Sequence, residues 1–153
     1  MKKVLLFLII IILLVGCKNK EERDKKAYLS FKSQLLETKK YTSSDDIPCD
    51  ITIKVNRLNK EKVLYKILLF NPKENMNDIM AIVVHNYYTE DLFPSIGLFD
   101  KKQKLNNDDK KRIVLNGEIE STDDIDKLNL KFRILIKYRT DDNKKKEIYY
   151  KLT

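Results

Sequence analysis

One histidine, two cysteines and four pairs of adjacent aspartates are the residues from which this 153-residue chain could build a reactive centre. His85 sits inside an apolar run, Ile79 to Tyr88. A catalytic histidine needs a nucleophile to deprotonate and a third group to orient it, and this run offers neither in recognisable form. The expectation is a strand histidine at a sheet face or edge. Zinc sites draw on several Cys or His ligands, which one His and the separated Cys17 and Cys49 do not supply. The acid pairs are Asp45-Asp46, Asp108-Asp109, Asp123-Asp124 and Asp141-Asp142. Neighbours on a strand point to opposite faces, and none of the pairs has the alternating spacing and glycine of a calcium loop. They read as loop solvation, with Asp123, Asp124 and Asp126 the best set for a weak cation. Beyond residue 16 only Gly97 and Gly117 remain, which excludes a glycine-rich phosphate cradle. The residues therefore predict no enzyme, no cofactor and no metal.

Three further groups could act by binding. Cys49 reads as a small buried residue at the start of a strand, and Asp45, Asp46 and Asp50 would raise its pKa and keep it inert. Tyr87-Tyr88 and Tyr149-Tyr150 are strand doublets, of which one ring each should face outward, where tyrosine can meet sugars or peptides. Lys101, Lys102, Lys104, Lys110, Lys111 and Arg112 surround Asp108 and Asp109, so this connection carries a net charge of +4. It reads as a solvated loop between strands, with contact to an anionic lipid surface or wall polymer as the alternative.

The elements that must position these groups are mostly strands. Ile51, Ile53 and Val55 alternate with Thr52, Lys54 and Asn56, a half-buried strand. Val63 to Phe70 and Ile79 to Tyr88 are apolar on both parities, as doubly covered strands are. Asn71-Pro72 ends the first of them. Leu92 to Phe99 contains Pro94 and Gly97 and reads as a bent or edge strand. Ile113, Leu115 and Ile119 share a parity across Gly117, which suggests a bulged strand. Leu128 to Tyr138 is the clearest strand, with Leu135 the one apolar residue on its polar face, and Glu147 to Leu152 is the last. Seven strands predict a mainly β fold, an immunoglobulin-like antiparallel β-sandwich over residues 47–153. Ahead of it, Tyr28, Phe31 and Leu35 make a short helical stripe within residues 27–46, which form a helix and linker.

The beginning of the chain is of another kind. Lys2 and Lys3 precede an unbroken apolar run from Val4 to Val15. As a helix it would reach roughly 18 Å at about 1.5 Å per residue, short of a hydrocarbon core of about 30 Å. This favours a removed secretory signal, residues 1–16. The run closes on Leu14-Val15-Gly16-Cys17, which resembles the lipobox of bacterial lipoproteins. The resemblance implies cleavage before Cys17 and fatty acylation of its thiol, with membrane lipid as the anchor. It places the protein on the extracytoplasmic side of the cell membrane. Two or three acyl chains meet the requirement that stable anchoring takes at least two attachments. Residues 17–26, almost all charged or polar, read as the tether.

Removing residues 1–16 lowers the formal charge from +8 to +6 and leaves a chain of ordinary single-domain length. Only five of the basic residues are Arg. Base and phosphate readers lean on Arg, so nucleic acid is not an expected partner. Asn71-Pro72-Lys73, Met76, Ile79 and Ala81, and Phe93-Pro94-Ser95-Ile96-Gly97-Leu98-Phe99-Asp100 resemble small uncharacterised lipoproteins of low-GC Gram-positive bacteria, a resemblance that brings no known activity. Together these readings describe a membrane-tethered binding or accessory module of the cell envelope, with an envelope protein or anionic wall polymer as partner. An immunity or exclusion lipoprotein that binds a toxin or injection machinery is the alternative. A deep pocket converging on His85 or Cys49, with acids nearby, would point to an enzyme instead.

Overall fold

A computed structural model describes residues 2–108 and 110–152, with side chains from Lys20 onward. Its eight strands are β1 (Asp50–Arg57), β2 (Lys62–Phe70), β3 (Met76–His85), β4 (Ser95–Ile96), β5 (Gln103–Leu105), β6 (Ile113–Glu120), β7 (Phe132–Arg139) and β8 (Lys145–Leu152). Alternation decides their faces. In β2, Val63, Tyr65, Ile67 and Leu69 are fully buried, while the residues between them are half-exposed. All pairings are antiparallel, and they form two sheets, one ordered β1-β2-β6 and the other β4-β3-β7-β8. This is the immunoglobulin-like sandwich, in which second and penultimate strands sit centrally in opposite sheets. The inner faces meet in one apolar core that runs from Ile47 to Ile148.

A second apolar layer lies outside the sandwich. Helix α1 (Lys2–Glu37) lays Tyr28, Phe31 and Leu35 across the outer face of the second sheet, on Ile82, Val84, Leu98 and Leu135. The helix thus explains why Ile79 to Tyr88 is apolar on both parities, and why Leu135 breaks the polar face of β7. Lys137 Nζ donates to Gln34 Oε1 at 2.7 Å and stands 4.8 Å from the Phe31 ring centroid. Past the helix the chain skirts β8: Thr42 N donates to Tyr149 O at 2.8 Å, and Tyr149 N donates to Thr42 Oγ1 at 3.1 Å. The helix is already formed at Lys20, so the charged segment before Ala27 is helical there.

Several elements depart from the alternation pattern. Only Ser95–Ile96 of Leu92 to Phe99 pairs, with Ala81 and Ile82. Gly97 follows at φ +68°, where a Cβ would come 2.6 Å from the Ile79 carbonyl oxygen, so glycine is required at this close approach. An eighth strand, β5, arises inside the basic connection and pairs with the start of β3. Strand β6 runs through Gly117 in unbroken register with β2; the bulge falls instead in β3, between Asn77 and Met80, around Asp78 at φ 53°. Strand β7 begins at Phe132 because Asn86 intercepts the segment before it: Asn86 Nδ2 donates to Asn129 O, and Lys131 N donates to Asn86 Oδ1.

Candidate functional site

The six basic residues of the connection are all exposed, but the fold spreads them. Lys102 reaches a groove beside the helix, about 370 Å³, which it lines with Phe31, Met80, Lys137, Arg139 and Lys145. Lys104 acts electrostatically on Asp141, whose carboxylate is held below its usual range first by Asn75 and Asn77, which donate to it at 2.7 and 2.9 Å. Lys111 Nζ is 3.4 Å from Gln103 Oε1. The Arg112 guanidinium lies 5.6 Å from the Phe70 ring centroid, at the end of β2. Lys101 and Lys110 stand in the same connection. Asp109 lies outside the described residues.

The strongest convergence of polar groups is elsewhere, at the lateral edge of the sandwich where β6 faces the β3–β4 connection. Here Gly117 stands opposite Tyr65 across the β2–β6 ladder. A Cβ at Gly117 would overlap Tyr65 Cζ and Oη and come 2.7 Å from Pro94 Cγ. The missing side chain therefore makes the space in which the Tyr65 hydroxyl ends. His85, 9% exposed, sets its ring edge-on to Tyr65 at 5.4 Å and to Phe93 at 5.0 Å, and Phe132 closes the aromatic box 4.9 Å from Tyr65. Tyr65, His85, Phe93, Pro94 and Gly117 line a cleft of about 180 Å³, together with Asp91, Asn116 and Glu118.

Two atoms of the residues lining this cleft, Tyr65 Oη and His85 Nδ1, are buried with no hydrogen-bond partner among the described residues. Leaving a buried polar atom unpaired costs about 1–3 kcal/mol, so each of the two calls for a partner, whether a water, an ion or a larger guest. Burial lowers the His85 pKa, with the Tyr87 backbone opposing it, which favours the neutral ring. Burial likewise raises the Tyr65 phenol, and it stays protonated. Neither atom bonds to the other, so no nucleophile–base relay of the kind acyl transfer uses is assembled. The arrangement offers hydrogen-bonding capacity to a guest. Outside the mouth, Lys62 Nζ bridges to Glu118 Oε2 at 3.0 Å; that bond first, then the charges of Glu118, Glu120 and Asp91, raise the lysine pKa.

The helix reaches this cleft from behind. Phe93 N donates to Tyr28 Oη at 2.8 Å, and Lys32 Nζ lies 5.1 Å from the centroid of the Phe93 ring. Val83 N donates to Pro94 O, which ties the same connection to β3. Sequence reading identified His85 but not Tyr65, Phe93 or the cleft.

Cys49 precedes β1, buried and free. Burial, then Asp50, pushes its thiol up to about 12, with Lys73 opposing. Asp124 pairs with Lys127 at 2.9 Å in a short 3-10 turn, and among the described residues no group of three or more His, Cys, Asp or Glu is placed to hold a metal. Tyr88 is 81% exposed; Tyr149 packs in the helix layer and Tyr150 against the main core. Among the described residues no helix is long and apolar enough to cross a membrane. Leu14, Val15, Gly16 and Cys17 lie outside the residues whose side chains are described. No family model matches the chain, and neither a curated protein nor a solved structure matches it significantly.

Proposed function

We propose that this chain is a lipoprotein, held on the extracytoplasmic face of the cell membrane by acylated Cys17, whose immunoglobulin-like domain serves the envelope as a non-enzymatic binding or accessory module. The observation that supports it best is the seating of α1. The chain just after the lipobox-like residues is helical from Lys20 and is fixed to the second sheet by Tyr28, Phe31 and Leu35, all buried. An anchor at the start of such a helix holds the domain in one orientation, which suits a surface that must present itself to a partner. The basic connection from Lys101 to Arg112 would then face anionic lipid or wall polymer, depending on that orientation.

Metabolic labelling with a fatty acid tests the anchor. The parent chain should take up label and migrate at the size expected after loss of residues 1–16. Cys17→Ala should take up none and keep its full length. A Cys17→Ala chain still labelled and still cut before residue 17 would sink the proposal.

A further inference from the structure

We propose that the cleft between β6 and the β3–β4 connection binds an organic cation, an alkylammonium or guanidinium group whose N–H donors bond to Tyr65 Oη and His85 Nδ1. This gives a ligand class to the binding role above and rests on that role, but it does not rest on acylation.

Four observations carry it. First, the acceptors are built into the fold: Tyr65 is fully buried, His85 nearly so, and each carries an atom with no hydrogen-bond partner among the described residues. A neutral imidazole has one acceptor nitrogen, and a phenol oxygen accepts as well as donates. Second, the walls suit a cation. Tyr65, His85 and Phe93 present aromatic rings, and the ring quadrupole attracts ammonium and guanidinium groups. Third, the mouth is acidic in a chain that is otherwise basic. It opens beside a second groove of about 280 Å³ where Glu90, Asp91, Glu118 and Glu120 surround one cation, Lys62. Lys62 is held by Glu118, which leaves the other carboxylates to draw a guest inward. Fourth, the size fits. The inner cleft, about 180 Å³, is below the roughly 300 Å³ at which drug-sized sites begin; it suits one alkyl chain with a charged head.

The same group could be a free small amine or a Lys or Arg side chain of a partner, and one titration separates them. The full-length chain in nonionic detergent is followed by NMR at the His85 ring and the Gly117 amide. The probes are n-butylammonium, n-butanol as the uncharged control, and an acetylated, amidated Gly-Gly-Lys-Gly-Gly peptide beside its norleucine counterpart. Butylammonium should shift both signals saturably with Kd on the order of millimolar, as a ligand of this size allows, and butanol should not. A lysine peptide that binds about tenfold or more tighter, with the norleucine peptide silent, assigns the guest to a partner's side chain; equal or weaker binding assigns it to a free amine.

Tyr65→Phe should weaken the interaction by about tenfold, the scale of a hydrogen bond to a charged group, and Asp91→Asn by about threefold. Without ligand, Tyr65→Phe should melt no earlier than the parent, because the lost hydroxyl has no partner to abandon. Its melting several degrees earlier would show the hydroxyl engaged inside the domain and would overturn the proposal. So would equal binding by both variants and parent, equal shifts with butanol, or no saturable shift at all, in which case the cleft holds only water. Acylation is read separately: a labelled chain that binds no amine sinks the cleft alone, and an unlabelled chain that binds amine sinks the anchor alone.

Discussion

The burial of the His85 ring has a consequence with a definite sign. Its folded pKa lies below the ordinary value of about 6.5, so the unfolded chain binds the proton more readily. The stability it contributes is present above the unfolded pKa and is lost as pH falls through the folded one. Urea midpoints should therefore drop between pH 7.5 and 5.5. His85→Phe keeps a ring against Tyr65 and Phe93 and should flatten that decline; an equally steep decline in the variant would place the titration elsewhere. The cleft was only partly legible in the chain. His85 stands out as the one histidine, but its partner Tyr65 looks like any core residue of β2. A signal did exist at Gly117, which occupies the buried parity of β6 between Leu115 and Ile119. A glycine where alternation calls for a core side chain is a hole, and periodicity alone could equally indicate a bulge. What fills the hole comes from β2 and the β3–β4 connection, through Tyr65 and Pro94, and no local pattern reports that.

At the scale of elements, the helix is the piece most dependent on the rest. Its stripe of Tyr28, Phe31 and Leu35 is legible at three- and four-residue steps, and so is the exception at Leu135. That the two are one contact is not legible, because about a hundred residues separate them. A chain beginning at Thr38 lays bare Ile82, Val84, Leu98 and Leu135, a contiguous apolar face of the kind that drives association. It should bind a hydrophobic dye and self-associate in analytical ultracentrifugation, whereas a chain beginning at Ala27 should stay monomeric. Leu35→Ala within the whole chain should cost about 2–5 kcal/mol in chemical unfolding, as a fully buried leucine does. If both truncated chains behave alike, the helix is not covering that face. Strand β1 reads correctly from its alternation. β2, apolar on both parities and expected to be doubly covered, buries one face only, through Val63, Tyr65, Ile67 and Leu69, and β7 buries Leu135 on its second face beneath the helix. β4 is the edge strand expected within Leu92 to Phe99, shortened to two residues, whereas β5 carries no signal: three residues are too few for a period, and its pairing is set by the edge of β3.

Across the whole molecule, charge is divided. The acidic residues Glu90, Asp91, Glu118 and Glu120 gather around Lys62 at one sandwich edge, while in the groove beside the helix Lys102, Lys137, Arg139, Lys145 and Lys146 outnumber Asp78 and Glu147. Such separation steers partners of opposite sign to different faces. Changing Lys101, Lys102, Lys110 and Lys111 together to Gln should weaken attachment to anionic vesicles or purified wall polymer at 50 mM salt, and 300 mM salt should weaken the parent likewise, since the Debye length shortens about 2.4-fold. Attachment equal in parent and variant, or indifferent to salt, would return this connection to plain solvation.

The order in which the polypeptide is made meets the order in which it can close. Residues Tyr28 to Leu35 leave the ribosome early, yet the surface they cover is completed only when Phe132–Arg139 and Lys145–Leu152 have been synthesised and paired. Contacts of such sequence separation carry a large loop-closure cost and come late in folding. Until then the helix has only part of its seat to rest on, Ile82, Val84 and Leu98. The seat of α1 is therefore completed only when β7 and β8 pair, and it closes then as a clasp across the second sheet.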